Sequence, residues 1–123
     1  MKKIILGCLL FCGMISGLYA QSLEDEQFKQ YVELTKKSPT NPKGMSVSAD
    51  YTYRIIYAAM PLPHKHSAFT PQVIAEMKKE MIRIMKTQIN DVKVIKSLKI
   101  NFVFTYITSD KNIIVIPLSY NDF

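Results

Sequence analysis

From Val47 onward apolar and polar residues alternate. Val47, Ala49, Tyr51, Tyr53, Ile55, Tyr57 and Ala59 share one parity, and Ser46, Ser48, Asp50, Thr52 and Arg54 the other. A period of two marks a strand with one wet face, so residues 45–60 predict one long strand. Near Ile56 both parities turn apolar, which allows a bulge or bend around Arg54–Ile56. Asp50, Thr52 and Arg54 lie together on the polar face and form a candidate interaction patch. A different period follows. Val73, Ile74, Met77, Met81, Ile84 and Met85 recur at helical spacing, with lysines and glutamates on the other face. Thr70-Pro71 supplies an N-cap and a proline at the first helical position. This is the main amphipathic helix.

Residues 21–37 predict an N-terminal helix capped by Ser22. Glu24, Asp25 and Glu26 are expected in its first turn and Lys36 and Lys37 in its last, complementing the helix dipole. Its apolar stripe is narrow, so shallow packing is expected. SPTNPKG, residues 38–44, is a loop. Asn90-Asp91 is expected to end the main helix, with Val92, Val94 and Ile95 as an extended lead-in. Leu98 to Tyr106 alternate, residues 109–112 supply turn chemistry, and Ile113 to Leu118 form the return strand of a hairpin. Pro117 has no N–H for a ladder and belongs on an edge.

The element order α-β-α-β-β predicts an α+β fold. A three-stranded, mostly antiparallel sheet packs against the one main helix, and the N-terminal helix is added to it. Either the last strand lies between the other two or the middle strand is central. Exposed strand edges invite pairing with a second copy or with an extended partner segment.

The first twenty residues change the picture of where the chain goes. Lys2 and Lys3 precede an uncharged, mostly apolar run, Ile4 to Leu18; then comes Ala20 and the polar QSLEDE. That order is a secretory signal peptide, with cleavage expected after Ala20, and the run is short for a membrane span. An uncleaved anchor and a lipobox ending at Cys8 are the alternatives. The expected organisation is a signal peptide over 1–20, a helix and linker over 21–44, and an α+β domain over 45–123. The exported chain is expected to be periplasmic or secreted from a bacterium, with no transmembrane span once the signal is cleaved.

Both cysteines, Cys8 and Cys12, fall inside the signal, so thiol chemistry and disulfides are not expected in the mature domain. Loss of Lys2 and Lys3 takes the 16 basic residues to 14 against 10 acidic, a net charge of +4. The basic residues are scattered, without the run that marks a nucleic-acid arm, so no nucleic-acid partner is expected.

Candidate chemistry is sparse. His64 and His66, in PLPHKHSAFTPQ, are the two histidines of the chain. On an extended segment both imidazoles point one way and can share copper, nickel or zinc, but a site needs further ligands and Lys65 disfavours a cation. The competing reading is a solvated loop before the helix. Gly44 is the one glycine outside the signal, so no phosphate-cradling loop is expected, and no cofactor motif or catalytic residue is found. The remaining function classes are a non-enzymatic binding protein of inhibitor, immunity or envelope-accessory type, a metal-binding protein or enzyme at the histidine loop, and a carrier of small apolar ligands between the methionine stripe and the aromatic sheet face.

The strand Lys99–Tyr106, the Ser-Asp-Lys-Asn turn and the ending Ile-Pro-Leu-Ser-Tyr-Asn-Asp-Phe resemble the closing hairpin of small exported bacterial proteins of unknown function. The resemblance spans the last eighty residues. It implies a compact α+β domain and carries over no catalytic residue.

Overall fold

A computed structural model of the protein describes residues 20–39 and 41–123, with side chains from Leu23 onward. The expected signal segment through Tyr19 lies outside the described residues. Three helices, α1 (Ala20–Lys36), α2 (Pro71–Lys86) and α3 (Ile89–Leu98), accompany four strands, β1 (Ser46–Asp50), β2 (Ile55–Pro61), β3 (Asn101–Ile107) and β4 (Ile113–Leu118). The fold is α+β. Its sheet has order β1-β2-β3-β4 and is mixed: two antiparallel hairpins joined by a parallel β2–β3 pair. Both α2 and α3 lie in the crossover between β2 and β3.

The expectation of three strands is corrected to four, because the long first strand is a hairpin. Asp50 pairs with Ile55 and Val47 with Ala58, leaving a four-residue loop, Tyr51 to Arg54. Asp50 makes the turn: its Oδ1 accepts from the Thr52 and Tyr53 amides at 2.9 and 3.0 Å, the local capping by which aspartate starts turns. Arg54 completes it at φ 54°. An even loop reverses the parity of the chain, so Val47 and Ala49 share a face with Ile56 and Ala58, not with Ile55 and Tyr57. Tyr51 and Tyr53 kept the odd positions apolar through the turn and hid it; Tyr53 is 73% exposed.

The helix layer is also rearranged. Thr70 caps α2 as expected, its side chain accepting from the Val73 amide at 3.2 Å. Yet α2 has no fully buried residue. Its Ile74, Met77, Met81 and Met85 pack half-buried at the side of the core. Asn90-Asp91 begins a helix instead of ending one. Asp91, Val94, Ile95 and Leu98 follow i, i+3, i+4, i+7 spacing, and all four are buried. Lys99, left-handed at φ 55° and ψ 51°, closes α3, with the Ile100 amide bonded to the Ile95 carbonyl, a Schellman-type stop.

The N-terminal helix is not shallow either. Phe28, Tyr31 and Val32 are at most 2% exposed and join Ile95, Leu98, Ile56, Phe102 and Ile116 in one core. Each such aliphatic or aromatic side chain contributes about 1.5–3 kcal/mol on burial. The middle strand of the three expected, β3, is central, and Pro117 sits on edge strand β4.

Candidate functional site

The histidine loop runs from β2 to α2 along the β3–β4 turn. The Ser109 amide donates to the His64 carbonyl at 2.9 Å, and the His66 amide donates to Asp110 Oδ1 at 3.0 Å. The same Asp110 oxygen accepts from the Thr108 hydroxyl at 2.6 Å. These bonds, the Thr108 hydroxyl first and the His66 amide next, hold the Asp110 carboxyl below its ordinary range. The loop is thus fastened through its main chain, and both imidazoles are exposed. The His64 ring meets Phe69 edge-on at 6.2 Å. Among the described residues no group of three or more His, Cys, Asp or Glu side chains could hold a metal ion.

Asp50, Thr52 and Arg54 are not gathered into one patch. Asp50 caps its own turn and Thr52 lies at the exposed tip. Arg54 turns the other way, into the helix layer. Its guanidinium donates to Glu24 Oε2 at 3.3 Å, Asp25 Oδ1 at 3.1 Å and the Leu98 carbonyl at 3.2 Å. The planar fork of arginine suits this three-way contact. It ties the first hairpin to α1 and to the end of α3. Glu24 and Asp25 lie past the first turn of α1, because the helix begins at Ala20, and their work is this clamp.

A buried polar cluster joins the same two helices. Gln27 and Asp91 are buried beside the core. Burial first, and then the negative charge of Asp91, push the Tyr31 phenol far above its ordinary range. The Tyr31 hydroxyl stays neutral beside the carboxylate at the start of α3; no sequence motif announces this proximity. The methionine stripe and the aromatic sheet face meet directly, with the Tyr106 hydroxyl 3.7 Å from Met81 Sδ. A shallow, open cleft of about 460 Å³ lies elsewhere, where Asn101, Val103 and Pro117 approach Lys78 and Asp122 at one end of the sheet.

The second face of the sheet begins at this cleft, where Lys78 lies near Val103 and Pro117. The register aligns Tyr57, Val103 and Pro117 in one row, Ala59, Thr105 and Val115 in the next, and Pro61, Ile107 and Ile113 in the last. Tyr57, Ile107, Ile113 and Val115 are all exposed, Ile113 by 60%. Single exposed apolar residues need no explanation, but a contiguous patch does. Sequence reading missed it because the parity reversal at the Asp50 turn put Ile55 and Tyr57 on the wrong side.

Comparison with protein-family models, with curated proteins and with solved structures finds no match for this chain. Among the described residues no helix is long and apolar enough to cross a membrane.

Proposed function

We propose that the chain is an exported, non-enzymatic binding protein that engages a protein partner through the open face of its sheet. The observation that carries this reading is the apolar patch of β2, β3 and β4, which exposes Tyr57, Ile107, Ile113 and Val115 on one face of the sheet. A soluble domain keeps such a patch at a cost in solubility, and contact surfaces are its usual reason. Export rests on the charged, apolar and small-residue order of the first twenty residues. Binding by the face is favoured over pairing at an edge. One edge, β1, has only five residues, and the other carries Pro117.

Retrieval from an envelope extract with the native chain and an Ile113→Asp variant tests the reading, alongside gel filtration. A specific protein held by the native chain and lost by the variant, or native self-association lost in the same way, supports it. A strictly monomeric chain that retains nothing overturns it, and an intact mass that includes residues 1–20 removes signal cleavage from the proposal. Metal binding at His64 and His66 is the alternative, motivated by two exposed imidazoles on one short loop. Calorimetric titration of copper and zinc into the native chain and a His64→Ala/His66→Ala variant decides it, since identical heats end that alternative.

A further inference from the structure

The crossover between β2 and β3 holds the net charge of the domain. Residues 71–99, which form α2 and α3, carry seven basic side chains against three acidic, whereas the rest of the chain from residue 21 onward balances, seven against seven. The three acidic residues do not offset the excess at the surface. Asp91 is buried, and Glu76 and Glu80 pair within α2 with Lys79 and Arg83. Both arginines of the chain are thus engaged inside the molecule, Arg83 here and Arg54 in its clamp. Lys86, Lys93, Lys96 and Lys99 are exposed and make no ion pair among the described residues.

Helical spacing sorts these groups on α3. Asp91, Val94, Ile95 and Leu98 make its buried stripe. At about 3.6 residues per turn, Ile89, Lys93 and Lys96 stand on the opposite side, and all three are exposed, Ile89 by 65%. This helix has no exposed carboxylate. Thr87 and Gln88 join it to α2, whose last turn exposes Lys86 and, by 53%, Ile84. Isoleucine in the open with unpaired lysines one turn away is the composition of an interfacial helix surface. The apolar tips enter a headgroup layer, and the lysine stems lie along it with their ammonium groups in water.

We propose that the α2–α3 pair docks the domain peripherally on an anionic phospholipid bilayer. Charge complementarity selects an anionic occupant. The kind of cation selects a bilayer over an acidic protein. The unpaired cations are all lysine, which is depleted from protein interfaces, where the planar fork of arginine makes the specific contacts. A layer of mobile headgroups requires point charges and no fixed geometry. Each lysine held near such a surface strengthens binding by about fivefold. The buried stripe of α3 stays in the core, so the bilayer is touched and not crossed. This surface is separate from the sheet face proposed above for a protein partner, and the two readings stand or fall independently.

Vesicle flotation of the full chain, expressed with its own leader and purified after export, tests this. One set of vesicles is phosphatidylcholine alone, and the other contains about one-third phosphatidylglycerol. The native chain is expected to float with the anionic vesicles only, and to bind at least about tenfold more weakly in about 0.5 M salt than in low salt. Lys93→Gln/Lys96→Gln changes two exposed sites at little cost in helix propensity, and is expected to bind at least about tenfold more weakly. Lys37→Gln/Lys43→Gln removes the same charge from exposed positions outside the helical pair, and is expected to stay within about twofold of the native chain. Far-UV circular dichroism and melting check that both variants fold. A native chain that stays off anionic vesicles in low salt, or floats equally with both compositions, overturns the proposal. So does a Lys37→Gln/Lys43→Gln variant that weakens as much as Lys93→Gln/Lys96→Gln. An envelope protein retained by the native chain and lost by Lys93→Gln/Lys96→Gln, without vesicle binding, overturns the bilayer as occupant and assigns the surface to an acidic protein.

Discussion

Replacing Ile95 or Met81 by alanine asks which helix is the keel of this domain. Ile95 in α3 is 0% exposed, enclosed by side chains from α1 and the sheet. Met81 in α2 is half-buried and touches the Tyr106 hydroxyl through its sulfur. Ile95→Ala removes three carbons from a closed site. Transfer accounts for about 2.4 kcal/mol and the residual cavity adds more, for a total of about 3–4 kcal/mol even after alanine's better helix propensity returns a few tenths. Met81→Ala removes a side chain that water already half reaches, at about 1–1.5 kcal/mol. For a domain of this size each kcal/mol lowers the melting temperature by about 4–8 °C, so Ile95→Ala is expected to melt at least about 12 °C lower and Met81→Ala about 5–10 °C lower. Urea titration followed by far-UV circular dichroism gives the equilibrium values, and unchanged slopes keep the comparison valid. If Met81→Ala costs as much as Ile95→Ala, then α2 is the core helix and the packing described above is wrong.

Three further outcomes follow from single contacts. Arg54→Ala is expected to destabilise by about 2 kcal/mol. The two ion pairs contribute under about 1 kcal/mol each, since the Glu24 and Asp25 side chains are 37% and 52% exposed, and the bond to the Leu98 carbonyl adds about 1 kcal/mol. Arg54→Lys should recover part of this loss in urea titration, and equal stability of Arg54→Ala and the native chain would remove the clamp. Lys99→Gly should stabilise by about 0.5–1 kcal/mol, because Lys99 sits at φ 55° where glycine carries no steric penalty; a lower melting point refutes it. Asp110 supplies the pH dependence. Its folded carboxyl titrates below the ordinary 3.8, so its contribution is full above that pH and is lost as pH falls further. Protection of the His66 and Asn112 amides from exchange, taken relative to their intrinsic rates, should therefore fall below about pH 4, and Asp110→Asn should abolish that step.

Hydropathy period alone placed the N-terminal helix, α2 with its Thr70 cap, the β3–β4 hairpin and the edge position of Pro117, because each depends on contacts only a few residues apart. It did not find the Asp50 turn, since tyrosines at 51 and 53 continue the strand's period through a loop of even length. It took residues 90–95 for a break and an extended lead-in, because Asn90-Asp91 reads as a stop while the buried stripe of α3 begins at that same Asp91. The Arg54 clamp spans 29–44 residues of chain, and the Tyr31–Asp91 pair is similarly remote, so neither has a local signal.

By itself, then, the sequence determined that the N-terminal helix, α2 and the β3–β4 hairpin form and where their apolar positions lie. Only the tertiary structure decided which apolar faces meet. It gave the core to α1 and α3, left α2 at the side, and turned Ile55, Tyr57, Val103, Ile113 and Val115 onto the second face of the sheet. The physical reason is that burial is non-directional and pairwise. A stripe gains equally against any complementary surface, and chain connectivity and strand register select the one it finds.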